Sequence, residues 1–159
     1  MKEILKILEK DARTTPEKIS TMTGKPLNEV KKTIRKAERN RTILKYKTII
    51  NWGKIENKQV WALVEVKVTP QKEVGFDSVA ELIYRFPHAR SVYLVSGTHD
   101  IAVLVRGSSM QEIATFVSEK LAPLDSVQGT VTHFLLKRYK EDGEILEGGE
   151  GVRRLPVTL

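Results

Sequence analysis

Apolar residues in the first fifty positions recur every three or four residues, which is the spacing of amphipathic helices. The first such stretch ends near Asp11. A second begins at Thr15-Pro16, a good N-cap followed by a residue suited to the first helical position, and Gly24 ends it. A third helix then carries its apolar residues on one face: Val30, Ile34 and Ala37. Two helices separated by a glycine-containing turn predict a helix-turn-helix.

From residue 60 the apolar residues alternate with polar ones, so that Val60–Val68 reads as a strand with one buried face. Capping boxes at Ser78 and Ser109 each begin a helix, and these helices stop at Pro87 and Pro123. Further strands are expected at Ser91–Val95, Ile101–Arg106 and Thr130–Tyr139. The order strand, helix, strand, strand, helix, strand predicts a ferredoxin-like sheet with both helices on one face. Because its open face is apolar, we expect a second copy to cover it.

These patterns predict an α+β protein built from two modules. A winged helix-turn-helix domain spans residues 1–50, where the β-branched, basic stretch Ile43–Asn51 supplies a strand or small wing. A linker at 51–59 leads to a ferredoxin-like βαββαβ domain at 60–140, and 141–159 form an extended C-terminal tail.

Positive charge is concentrated in the first module. Residues 1–58 contain 16 Lys and Arg against 7 Asp and Glu, whereas residues 59–159 contain 11 against 13. On the third helix, Asn28 and Arg35 lie opposite the apolar face, and their side chains suit bidentate contacts to adenine and guanine. The residues expected to contact double-stranded DNA are Lys25, Asn28, Lys31, Lys32, Arg35, Lys36, Arg39, Lys45 and Lys47. The alternative is a basic face that is merely solvated.

Other chemistry is sparse. The chain has no cysteine, and its three histidines (His88, His99 and His133) show no metal-ligand spacing, so we predict neither a metal site nor a cofactor. The charged N-terminus does not resemble a signal peptide, and no apolar run is long enough to span a bilayer. We therefore expect a cytoplasmic protein with no membrane partner.

Four short motifs in this order and at these distances resemble the Lrp/AsnC, or feast/famine, family over residues 1–140. They are Asp11-Ala12-Arg13, Thr23-Gly24, Ile43-Leu44-Lys45-Tyr46, and Val95-Ser96-Gly97 with Asp100. The resemblance implies a transcription factor whose second domain forms a homodimer, assembles further to a tetramer or octamer, and binds a small effector such as an amino acid. One departure is Arg41, which stands where the family usually has glycine.

The same resemblance implies an effector site. The matching loop residues are Ser96, Gly97, Thr98, His99 and Asp100, and the family's Thr-x-Thr pattern falls on Thr130 and Thr132. Glycine lets a backbone N–H approach a ligand carboxylate, and an aspartate can accept hydrogen bonds from an α-ammonium group. The two hydroxyls could line the same pocket. The alternative is that Gly97 and Asp100 serve only the hairpin turn.

Two other functions fit this architecture. Siroheme decarboxylases resemble it in layout, but the chain lacks their histidine-rich and aromatic motifs, since Val95-Ser96-Gly97 occupies the first region and no tryptophan follows Trp61. An architectural DNA binder without an effector is the second alternative. A hydrolase built from Ser96, His99 and Asp100 is disfavoured because residues so close on a tight hairpin converge poorly. We therefore predict a regulator and not an enzyme.

Overall fold

The computed structural model describes residues 1–55, 59–69 and 75–146. The chain divides into two compact units, of which the first is Met1–Ile50 and the second begins at Asn51. Each unit has its own hydrophobic core. Within the described ranges, no helix is long and apolar enough to cross a membrane.

The first unit consists of three helices, as predicted. They are α1 (Lys2–Lys10), α2 (Pro16–Thr23) and α3 (Leu27–Arg39). The Thr15 hydroxyl accepts a hydrogen bond from the Lys18 N–H at 3.3 Å, and Gly24 ends α2 with a left-handed φ of +66°. The buried residues Ile4, Leu8, Ile19 and Val30 form the core between the helices. The helix-turn-helix prediction is confirmed.

The chain leaves α3 through a backbone conformation that is unusual for its sequence. Asn40 caps the helix and Arg41 takes a φ of +59°, in the left-handed region that glycine adopts most easily. The Ile43 N–H then donates to the Ala37 carbonyl at 2.9 Å. Arg41 therefore makes the bend at the position where the family usually has glycine.

The predicted wing strand is wrong, since residues 44–50 form no strand. Tyr, Thr and Ile favour extended backbone, but a strand also needs a neighbour to hydrogen-bond with. The described part of the first unit contains only helices as regular structure. Sequence preference alone could not supply that partner.

A four-stranded antiparallel sheet with two helices dominates the second unit, after a 3₁₀ turn at Trp52–Lys54. The strands lie in the order β2-β3-β1-β4, as in a ferredoxin-like fold. Their bounds are β1 Val60–Val68, β2 Ala89–Leu94, β3 Ile101–Gly107 and β4 Val127–Phe134. The helices are α4 (Asp77–Tyr84) and α5 (Met110–Phe116), and α5 continues into a π-helical turn at Val117–Leu121.

One sheet face is buried under the helices. Val64 pairs with Val103 on β3 and with Thr132 on β4, and directly paired residues of antiparallel strands share a face. Val64 and Val103 are fully buried against Ile83 of α4 and Ile113 of α5. The opposite face of the sheet carries partly exposed residues such as Leu63 and Glu65. The alternation in the sequence therefore predicts the buried face correctly.

The two predicted capping boxes have different outcomes. Ser109 caps α5 as expected, because its hydroxyl accepts the Glu112 N–H at 3.1 Å. The box at Ser78 is wrong, since α4 begins at Asp77 with Phe76 at the N-cap and no side-chain cap. The predicted end of β1 at Pro70 lies outside the described residues.

The C-terminal part of the second unit differs from expectation in two ways. β4 ends at Phe134, several residues before the predicted Tyr139. Where an extended tail was expected, β5 (Lys140–Glu141) and β6 (Glu144–Ile145) form a hairpin around Asp142-Gly143, whose φ angles of +46° and +90° are both positive. Asp-Gly is a strong signal for such a two-residue turn. The rest of the predicted tail, 147–159, lies outside the described residues.

Candidate functional site

The turn between α2 and α3 is held by hydrogen bonds from side chains to the backbone. The Ser20 hydroxyl donates to the Lys25 carbonyl, and the Thr23 hydroxyl donates to the Ile19 carbonyl at 2.8 Å. Gly24 completes the bend without a side chain. These contacts fix the start of α3 relative to α2.

The polar face of α3 borders a shallow groove on the surface of the first unit. Its lining residues are Asn28, Lys31, Lys32, Arg35, Glu38 and Arg39. Five of these six belong to the predicted DNA-contacting set. The buried positions Val30 and Ala37 lie on the other side of the helix, so the predicted division into an apolar and a cationic face is observed.

The cations near this groove differ in whether they already have a partner. Lys31 pairs with Glu17 of α2 at 3.0 Å, and Lys25 pairs with Glu29 at 3.7 Å. The hydrogen bond from Lys31 lowers the pKa of Glu17. Among the described residues, four predicted cations of α3 have no acidic partner: Lys32, Arg35, Lys36 and Arg39. These four are available to bind an anion.

A contact that the sequence reasoning missed anchors the segment after α3. The Tyr46 hydroxyl donates to the Glu38 carboxylate at 2.8 Å. Partial burial, followed by this contact, raises the pKa of Tyr46. Lys45 and Lys47, both predicted to contact DNA, flank this tyrosine and are exposed. Because Glu38 and Tyr46 are eight residues apart and the end of α3 lies between them, no periodicity in the sequence indicates their contact.

The loop predicted to bind an effector joins β2 to β3 and is largely exposed. Gly97 has a φ of +147°, while Ser96 and Thr98 face solvent. The Asp100 carboxylate accepts the Val68 N–H at 2.9 Å and lies 3.2 Å from the Lys67 ammonium. The Val68 N–H, followed by Lys67, lowers the pKa of Asp100. Asp100 therefore already ties the loop to the end of β1.

Beside this loop, the open sheet face carries a carboxylate between two histidines. Glu65 lies 3.0 Å from the His133 Nε2 and 3.8 Å from the His99 Nδ1. The His99 Nδ1 is buried and makes no hydrogen bond within the described chain. The alternation in β1 and β4 puts Glu65 and His133 on one face, which would have predicted their proximity. No group of three residues suited to a metal occurs in the described ranges.

Thr130 and Thr132 lie on the other side of the sheet. They pair with Val66 and Val64, whose side chains are buried under the helices. Lys67, the partner of Asp100, alternates to the open face. Within one chain the threonines and the Asp100–Lys67 pair thus belong to opposite faces, and a shared pocket stays a prediction.

Sequence relatives agree with this architecture. The Lrp/AsnC ligand binding domain matches residues 61–145. YugG of Bacillus subtilis strain 168, an uncharacterized HTH-type transcriptional regulator, is 49% identical over 157 residues, covering 98% of this chain and 95% of YugG.

Solved structures share the fold at low sequence identity. A feast or famine regulatory protein from M. tuberculosis, complexed with L-methionine, aligns with a TM-score of 0.71 at 19% identity, covering 92% of this chain and 96% of that one. A transcriptional regulator from Neisseria meningitidis, in complex with L-Met, aligns with a TM-score of 0.69 at 19% identity, covering 87% and 89%. With the 61–145 match and the 49% identity to YugG, the conclusion is that this chain belongs to the Lrp/AsnC family of transcriptional regulators.

Proposed function

We propose that this chain is a sequence-specific DNA-binding regulator that acts as a homodimer or larger assembly and responds to a small effector. The observation that carries the proposal is the row of unpartnered cations on α3, directly after the glycine turn of a helix-turn-helix. A helix presented in this way enters the major groove, where its side chains meet phosphates and base edges.

Two kinds of residue on the polar face of α3 have separate roles in DNA binding. Lys32 is an exposed cation without a partner in the described chain, so it suits a phosphate, which any sequence offers. Arg35, one turn further along, can make a bidentate contact to guanine, and Asn28 can do so to adenine. Phosphate contacts set affinity, whereas contacts to base edges set sequence preference.

Fluorescence anisotropy with an operator fragment and a scrambled fragment, over a series of salt concentrations, tests these roles. Lys32→Ala should weaken binding to both fragments and reduce the salt slope by about 1, while Arg35→Ala should lose about 1–3 kcal/mol on the operator alone. Lys6→Ala, on the exposed side of α1, is the matched control and should behave like wild type. Wild-type behaviour of both α3 variants would refute this DNA interface.

For the effector we propose an amino acid bound at the loop Ser96–Asp100. The loop exposes backbone and hydroxyl groups, and Gly97 lets a ligand approach the main chain closely. Further support comes from the two structural neighbours that are complexed with methionine. Because the Asp100 carboxylate already binds the end of β1, the main ligand contacts are those of Ser96, Thr98 and His99.

Calorimetric titration with L-methionine tests the loop. Thr98→Ala removes an exposed hydroxyl and should weaken binding about fivefold, the value of one hydrogen bond of about 1 kcal/mol. Thr48→Ala removes an exposed threonine hydroxyl in the first unit and serves as the control. No heat of binding for any of the common amino acids would refute an amino-acid effector.

We propose a homodimer because the open face of the sheet carries apolar side chains. Val131 and Tyr93, which are 40% and 56% exposed, lie there with the half-buried Leu63 and Leu104. An apolar face of this kind is stabilised when another surface covers it. Sedimentation velocity should show a dimer or larger species, which Val131→Glu dissociates. Tyr84→Glu, an exposed site on α4, should leave the assembly intact, and a wild-type monomer would contradict the proposal.

A further inference from the structure

A contact between the two helices of the helix-turn-helix gives one lysine of the cationic face an acidic partner. Lys31 lines the groove on the polar face of α3, beside Lys32 and Arg35. Its ammonium lies 3.0 Å from the carboxylate of Glu17, which belongs to α2. Lys31 therefore lies within the proposed DNA interface, but its positive charge is already bound by an acid of the same unit.

Glu17 lies where its negative charge is stabilised. It belongs to the first turn of α2, and a carboxylate near a helix N-terminus interacts favourably with the helix dipole. The hydrogen bond from Lys31, followed by the one from its own backbone N–H, lowers the pKa of Glu17. Glu17 is therefore ionised at neutral pH and places a negative charge next to a residue that lines the groove.

The Lys31–Glu17 pair competes with DNA on nearly equal terms. The two side chains are 41% and 59% exposed, and an exposed ion pair contributes a factor of at most about five to an equilibrium. A phosphate contact contributes a similar factor, about five at about 0.15 M salt, because each contact adds about 0.9 to the salt slope of the affinity. If Lys31 moved to a phosphate, it would also leave an unpaired carboxylate beside a polyanion. The exchange therefore brings no net gain.

We propose that Glu17 limits the affinity of this chain for DNA of any sequence by keeping Lys31 away from the phosphates. Glu17 acts through the α3 interface of the proposed function, on which this inference rests. Phosphates carry no sequence information, so Glu17 sets the overall affinity and leaves base preference to Arg35 and Asn28. A lower affinity for all sequences shortens the time that the chain spends on non-specific DNA, which greatly outnumbers specific sites.

The test is fluorescence anisotropy of the full chain with two fragments, the DNA upstream of its own gene and a scrambled sequence, at about 50 to 200 mM salt. Glu17→Gln should strengthen binding to both fragments about fivefold and steepen the salt slope by about 1, because Lys31 is released to a phosphate. The ratio of the two affinities should not change. Glu3→Gln removes the same charge from an exposed site on α1 and should keep the wild-type salt slope.

A second substitution separates the release of Lys31 from the simple loss of a negative charge. Lys31→Gln alone should keep the wild-type salt slope, because Lys31 contacts Glu17 and not a phosphate. In the Glu17→Gln chain, the same substitution should reduce the salt slope by about 1.

Two results would overturn the role of Glu17 while leaving the DNA interface in place. One is a wild-type affinity and salt slope in Glu17→Gln. The other is an equal reduction of the salt slope by Lys31→Gln in both backgrounds, which would make Lys31 a phosphate contact despite Glu17. Failure of the proposed function is distinguishable from both, since the wild-type chain would then bind neither fragment.

Discussion

Replacing Arg41 with glycine should stabilise the first unit. Arg41 has a φ of +59°, and an L-residue in this region costs about 1–2 kcal/mol. Glycine avoids that cost but loses more backbone entropy on folding, which offsets about 0.5–1 kcal/mol. The expected net gain for Arg41→Gly is therefore about 0.5–1 kcal/mol.

Two further variants separate the backbone effect from other causes. Arg41→Ala keeps the Cβ and the strain but removes the charge, so its stability should match wild type. Lys36→Gly introduces glycine at an exposed helical position of α3 and should destabilise by about 1 kcal/mol.

Native-state hydrogen exchange of the Val30 and Ala37 amides is the appropriate assay. It reports on the first unit itself, whereas a melting curve of a chain with two units mixes both transitions. Exchange from these amides should slow in Arg41→Gly and remain unchanged in Arg41→Ala. Faster exchange in Arg41→Gly than in Arg41→Ala would refute the reasoning, because it would mean that the positive φ carries no cost.

Three other substitutions test residues that stabilise each unit internally. Glu112→Gln should make the stability of the second unit less sensitive to acid, as measured by urea unfolding followed by tryptophan fluorescence. Hydrogen bonds to its carboxylate, foremost from a serine hydroxyl, lower the pKa of Glu112 from 4.5 to about 2, so its contribution to stability is present above pH 4.5 and is lost as the pH falls towards 2. An equal loss of stability in wild type and variant over this range would contradict that role. Gly24→Ala should cost about 1 kcal/mol in hydrogen exchange of α2 and α3, because a Cβ there meets no atom within 4 Å and the cost is purely conformational. Phe116→Ala should cost about 3–5 kcal/mol in urea unfolding followed by tryptophan fluorescence, which reports on the second unit because Trp52 and Trp61 both belong to it. A cost below about 1 kcal/mol would mean that the ring of Phe116 is not part of the core.

Periodicity and caps were enough to predict most of the fold. The alternation of Val60–Val68 identified the buried face of β1, and Ser109 and Gly24 marked helix ends through hydrogen bonding and a positive φ that belong to the local sequence. Such signals work because the physical cause lies within a few residues of the effect.

The errors arose where the cause lies further away or in competing local signals. The stretch at 44–50 has strand-forming residues but no neighbouring strand within the described part of its unit. Ser78 matches a capping box, yet α4 begins one residue earlier at Asp77. The hairpin at Asp142-Gly143 could have been predicted from its turn residues.

The candidate sites likewise contain features that the sequence predicts and features that it does not. The cationic face of α3 follows from helical spacing, so the sequence predicted which residues would lie together. The pairing of Lys31 with Glu17, and the engagement of Asp100 by Lys67, depend on contacts between separate elements. The sequence carries no local signal for such contacts.

In the proposed function, α3 reads a DNA sequence. The most direct measurement is binding of the full chain to the DNA upstream of its own gene, against scrambled DNA of equal length, at physiological salt. A preference of about a thousandfold or more is the predicted result, because the affinity of a DNA-binding protein for its specific site typically exceeds its non-specific affinity by at least that factor. Equal, salt-sensitive affinity for both fragments, or no binding to either, would contradict the claim.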